Sequence, residues 1–153
     1  MRYLTKELYI SHSFEQWEEN YNKYLEEFHR LEPRFTKKAY KFFSSYSFHD
    51  AEILGFEIKR QYPNLMYPLE IIITVKDWND DSIWEIKYKR VTNYEINISK
   101  NSDQHYLGIW GYQEFLPVND KIISHEIMMI PQCDTLKIEF ENKHIQINKV
   151  KNS

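Results

Sequence analysis

One cysteine, three glycines and two alanines in 153 residues are low counts, and each scarcity closes off something. Cys133 has no partner with which to form an intramolecular disulfide, so a reducing interior such as the cytosol is expected. Gly55, Gly108 and Gly111 are too few for a glycine-rich phosphate loop, and Leu107-Gly108-Ile109-Trp110-Gly111-Tyr112 matches no cradle pattern. Long apolar runs are missing too. None approaches the roughly 18 residues of a membrane span, and Met1-Arg2-Tyr3-Leu4-Thr5-Lys6-Glu7 is interrupted by charge before a signal-peptide core forms, so no membrane association is expected. Nor is there a charge excess. Twenty basic against 23 acidic residues leave a net charge of -3, which gives no field suited to a phosphate backbone, and no nucleic-acid partner is expected.

What is present describes a folded chain. A composition 42% hydrophobic and 28% charged is that of an ordinary globular protein, with 16% aromatic residues on the high side. The length suits one domain over residues 1–153, and abundant Lys, Asn and Ile point to an AT-rich, bacterial source.

The first 46 residues read as helical. Tyr3 to Ile10 is a short helix or extended arm. Ser13-Phe14-Glu15-Gln16 has capping-box spacing, and Phe14, Trp17, Tyr21, Tyr24, Leu25 and Phe28 recur at helical intervals. That aromatic stripe reads as core packing rather than as a ligand box. Pro33 ends the helix, and Thr36 caps a second one running to about Ser45.

From Tyr46-Ser47-Phe48-His49-Asp50-Ala51 onward the period is two, and residues 47–150 read as sheet. A bulge is expected at Leu54-Gly55, where the apolar phase slips. Strands are expected over Leu69–Val75, Trp84–Tyr88 and Tyr94–Ile98, the last facing the core, with a loop over 101–104 and a further strand in Tyr106–Leu116. Ile122–Ile130 reads as a central strand covered on both faces. A hairpin turn at Asn142-Lys143 would align Phe140 with Ile145 and Ile138 with Ile147. The fold class is α+β: an N-terminal helical pair packed on a mostly antiparallel sheet of about six to eight strands.

Candidate chemistry is sparse. His49-Asp50 invites comparison with HD-type metal phosphohydrolases, with His29 and Asp77 or Asp80 as further ligands. In that family, however, the ligands project from helices, and here strand follows. Adjacent strand residues point apart, so the expected role of the pair is structural, Asp50 capping backbone and His49 bonding a carbonyl. Asp77-Trp78-Asn79-Asp80-Asp81-Ser82 fails as a calcium loop because Ser82 stands where glycine is needed and Tyr88 where a bidentate Glu is needed. Ser124-His125-Glu126 is too contiguous on a strand to act as a triad, although an inward His125 or Glu126 would need a buried partner. No metal or cofactor is expected. Trp78, Trp84, Trp110 and Tyr112, outside the helical stripe, are candidates for an aromatic-anchored interface.

The opening residues 1–7, the central Phe48-His49-Asp50-Ala51-Glu52-Ile53 and the strand-rich tail together resemble a family of small bacterial proteins of unknown function. The resemblance implies a single-domain bacterial protein and brings no activity with it. The expected function is therefore a non-enzymatic cytosolic protein acting through contacts with a protein partner, immunity-like or regulatory. The alternatives are a small hydrolase or ligand-binding protein with its pocket around His49 and Asp50, drawing on His125 or Glu126, and a lipid or small-ligand carrier lined by the aromatics, which a sizeable apolar cavity would mark. Oligomeric state is left open.

Overall fold

Three hydroxyl side chains set where the helices begin. Thr5, Ser13 and Thr36 hold extended backbone and accept from the N–H of Leu8, Gln16 and Ala39. They open α1 (Lys6–Ser11), α2 (Phe14–Arg30) and α3 (Lys37–Ser45) by satisfying donors that have no partner within the helix. The computed structural model describes residues 1–60, 69–99 and 107–150, so the loop expected over 101–104 lies outside the described residues. Only half of the expected capping box forms, because the Gln16 amide donates to Asn20 Oδ1 at 2.8 Å instead of reaching back. Phe14, assigned by its spacing to the apolar face, is 73% exposed. Helical side chains lean toward the N-terminus, and a residue in the first turn has no preceding turn to cover.

Seven strands follow among the described residues: β1 (Glu52–Lys59), β2 (Leu69–Lys76), β3 (Ile83–Asn97), β4 (Gly108–Pro117), β5 (Ile122–Ile130), β6 (Thr135–Glu141) and β7 (Ile145–Lys149). The fold is α+β, and every strand pairing is antiparallel. Followed from neighbour to neighbour, β1-β2-β3-β6-β5-β4 returns to β1, so the sheet curls into a closed ring of pairings. The weakest closure is β1 to β4, where only Glu52 opposite Ile109 and Ile53 opposite Gly108 are paired. The bulge expected near Leu54-Gly55 is present as a register shift between Ile53 and Gly55. β5 is indeed central, between β4 and β6, and buried on both sides.

Two strand expectations are corrected. The segments around Trp84 and Tyr94 form one strand, β3, bent at Arg90 (φ 49°) with a register shift between Val91 and Asn93. Its first half lies between β2 and β7 and its second half pairs with β6. Tyr94 and Ile96, expected to face the core, are 38% and 43% exposed. Among the described residues, pairing with β2 stops at Val91, which leaves this half of β3 without cover on that side.

The second correction is at Asn142-Lys143, which is not a hairpin turn. β6 and β7 run in line along the same side of β3, with Phe140 opposite Val91 and Ile145 opposite Tyr88. The link between them is committed elsewhere. Asn142 donates to the carbonyls of Lys121 and Asp120 and accepts from Arg34 Nε, and the Lys143 N–H donates to the Arg34 carbonyl. With Asn142 tied to the β4–β5 turn and to the segment ahead of α3, β7 cannot fold back on β6.

The core runs without a break from helices to sheet. Phe28, Phe35 and Phe43 pack on Phe115 of β4, at ring separations of 5.8, 5.2 and 4.9 Å. Ile53, Ile73, Ile86, Ile127 and Phe140 complete it from the strands. No helix among the described residues is long and apolar enough to cross a membrane.

Candidate functional site: an aromatic groove along the edge of β4

Past Ile109, β4 has lost β1 as a neighbour, and its outer edge must find other partners. At one end it meets the turn Phe48–Ala51, closed by the Ala51 N–H on the Phe48 carbonyl and made possible by Asp50 in the left-handed region (φ 70°). The Asp50 N–H donates to the Trp110 carbonyl, the Trp110 N–H to the Ala51 carbonyl, and His49 Nδ1 to the Gly111 carbonyl at 2.6 Å. At the other end α2 supplies the buried Tyr24 hydroxyl, which accepts from the Phe115 N–H at 3.0 Å. Between these clamps α2 stands away from β4 and leaves a groove of about 510 Å³.

Its walls are aromatic. Trp17 and Tyr21 of α2 stack at 4.9 Å with planes 11° apart, and Trp17 also faces Tyr112 of β4 at 5.9 Å. Tyr9 of α1 meets Tyr112 edge-on at 6.0 Å, and the His49 ring lies 5.4 Å from Tyr112. Gln113 is the other polar side chain on the β4 wall, and no Lys, Arg, Asp or Glu lines the groove among the described residues.

A bulge between Trp110 and Tyr112 arranges that wall. It presses Gly111 onto β5 so closely that a Cβ there would stand 2.5 Å from Ile130 Cγ2 and 2.9 Å from the Met128 carbonyl, so only glycine fits. The extra residue also changes the phase of the strand. Trp110, Gln113 and Phe115 turn toward the interior while Tyr112 lies along the groove.

Beneath Gln113 lies a buried polar chain. His125 is fully buried and stacks on Phe115 at 3.8 Å. Its Nε2 is 2.7 Å from Gln113 Oε1 and its Nδ1 is 2.6 Å from the Tyr88 hydroxyl. Burial holds the imidazole pKa well below its ordinary value and the Tyr88 phenol well above its own, so both are neutral. An amide oxygen only accepts. His125 therefore carries its proton on Nε2, Nδ1 accepts, and Tyr88 donates.

The four residues singled out from sequence do not converge. His49 and Asp50 sit at the rim, both half-exposed, with His49 Nε2 3.6 Å from the Asp50 carboxylate. His125 is interior. Glu126 points the opposite way and pairs with the Met1 α-ammonium. Ser124 donates to the Leu116 carbonyl and takes no part with His125. Among the described residues no group of three His, Cys, Asp or Glu is placed to hold a metal ion. Cys133 has its thiol pKa raised by burial, which outweighs the opposing charge of Lys6, with smaller raising contributions from Asp134 and Glu7.

The four aromatic interface candidates are also dispersed. Trp110 is 1% exposed and belongs to the core, which removes it from any surface patch. Trp84 packs on Phe42 and Phe48 and donates to Ser82 Oγ. Tyr112 lines the groove, and Trp78 is 71% exposed on the β2–β3 turn.

Glu114, Gln113 and Tyr88 are missed by the sequence reading. Glu114 is buried, and its carboxylate accepts three consecutive backbone N–H groups, those of Arg2, Tyr3 and Leu4, at 2.7, 2.9 and 2.6 Å. The available signal was its charge in a segment otherwise rich in aromatic residues. Compared with protein-family models, with curated proteins and with solved structures, the chain matches none.

Proposed function

We propose that this chain is a binding protein for a small, flat, ring-bearing molecule, taken up in the groove between α2 and β4. The single observation that carries this reading is the groove itself, about 510 Å³ walled by Trp17, Tyr21, Tyr9 and Tyr112. That volume falls within the range of small-molecule sites, and stacked rings offer large faces to a planar ligand at low entropic cost. Two features support it further. Among the described residues no strand covers the edge along which the groove opens, and a lining without Lys, Arg, Asp or Glu favours a neutral occupant over an ion, which would lose its hydration.

The test is a titration with prodan, a neutral naphthalene whose emission moves to the blue in apolar surroundings. Binding saturable below about 1 mM is expected. Trp17→Leu, which keeps apolar bulk but removes the indole plane, weakens it about tenfold. An emission spectrum unchanged by the protein, or binding indifferent to Trp17→Leu, sinks the reading. A second reading, a protein acting through contacts with another protein, draws on Trp78, the most exposed of the four tryptophans. It predicts capture of a partner that Trp78→Ala abolishes and prodan leaves intact.

A further inference from the structure

We propose that Gln113 is a hydrogen-bond donor of the groove and that the buried His125–Tyr88 pair holds its amide so that the NH2 group meets a neutral carbonyl oxygen on the ligand. This rests on the reading of the groove as a ligand site and names the class of ligand, a planar ring bearing a ketone, aldehyde or amide carbonyl.

The polarity of the chain is set from the inside outward. Tyr88 is fully enclosed, and among the described residues its hydroxyl has one partner, His125 Nδ1 at 2.6 Å, so its proton is donated there. A neutral His125 that accepts there must donate from Nε2, and what lies 2.7 Å from Nε2 is Gln113 Oε1. The amide oxygen is thereby committed inward, and the amide nitrogen, on the same planar group, is turned outward. Among the described residues that nitrogen has no hydrogen-bond partner in the protein, and Gln113 lines the groove. Each bond polarises the next in the same direction, which makes the terminal N–H a stronger donor than a lone amide. A carboxylate would satisfy it as well, but with no Lys or Arg on the walls a charged oxygen is the costlier occupant. His125 and Tyr88 are positioning residues, since they act through Gln113.

Isothermal titration with naphthalene, acetylnaphthalene and naphthylamine separates the two levels of the reading. Wild type is expected to bind acetylnaphthalene about three- to tenfold more tightly than naphthalene, the worth of one net hydrogen bond. Gln113→Leu brings the two within about twofold of each other while naphthalene affinity persists. Tyr88→Phe removes the donor that fixes the imidazole tautomer, so the preference for acetylnaphthalene shrinks and naphthylamine gains. A purely structural role for Tyr88 would lower all three affinities together, and that result overturns the inference. Equal binding of naphthalene and acetylnaphthalene to wild type also overturns it and leaves the groove reading standing. If none of the three binds, the groove reading itself fails. Nitrogen NMR of His125 in the wild-type protein needs no variant to fold: a protonated Nε2 and bare Nδ1 are expected, and the opposite tautomer overturns the proposal.

Discussion

On one face of the β4–β5 pair Glu114 stands opposite Glu126; one residue along each strand, on the other face, Phe115 stands opposite His125. Both faces bury polar groups, and they satisfy them by different means. The outer pair uses charge and backbone. Three N–H groups of the N-terminal arm converge on Glu114, and the α-ammonium sits on Glu126. Two carboxylates side by side are tolerable because the arm brings donors and a positive charge to them. The inner pair uses neutrality. His125 is enclosed by Phe43, Trp110 and Phe115, none of which carries an opposite charge, and burial keeps it an uncharged imidazole with one donor and one acceptor. The difference teaches where function can reside. The outer carboxylates are consumed in holding the arm, whereas the inner chain ends in an amide nitrogen with a groove in front of it.

Removing Glu114 should break the outer face most severely. Glu114→Ala leaves three N–H groups with no acceptor and is expected to cost about 3 kcal/mol in urea unfolding. A loss below about 1 kcal/mol would mean that the arm is not held by that carboxylate.

The inner face answers to pH. His125 is neutral in the fold, with its pKa depressed by burial, whereas the unfolded chain takes up a proton below about 6.5. In that window the unfolded state binds more protons, so stability falls as pH drops, by up to about 1.4 kcal/mol per unit. The loss stops once pH passes below the folded-state value. Urea midpoints measured between about pH 7.5 and 5 should show this slope and lose part of it in His125→Asn. An unchanged slope in the variant would assign it to other groups.

Glu126→Gln should have the smallest effect. Its side chain is 20% exposed against 3% for Met1, and the glutamine oxygen still accepts from the α-ammonium, so a loss of about 1 kcal/mol or less is expected. A loss equal to that of Glu114→Ala would erase the distinction between an acceptor of three backbone donors and a partly buried ion pair.

Much of the fold can be read along the chain because its signals are local. Ser13 and Thr36 cap their helices, the Ile53–Gly55 bulge falls where the apolar phase slips, and the unbroken apolar character of Ile122–Ile130 marks a strand covered on both sides. The errors share one cause. Phe140 with Ile145 fits a hairpin as well as it fits two strands in line, and only the bonds from Asn142 to Arg34, Lys121 and Asp120 decide between them. Of the site, His49 was visible as a local oddity. Trp17 and Tyr21 were not, because a groove wall and a core stripe have the same helical spacing.

What the order of residues determined unaided is periodicity: which stretches coil, which extend, where each begins, and that Cys133 stands alone. What only the folded chain decided is partnership. Gln113, His125 and Tyr88 lie 12 and 37 positions apart, and their bonding depends on a one-residue bulge in β4 that changes which side chains face inward. Side-chain alternation is a property of neighbouring residues, but which strand lies opposite, and in what register, is settled by contacts that close long loops. A groove is likewise the space left where the backbones of α2 and β4 stand apart and only side chains such as Trp17 and Tyr112 reach across, and no single segment encodes it.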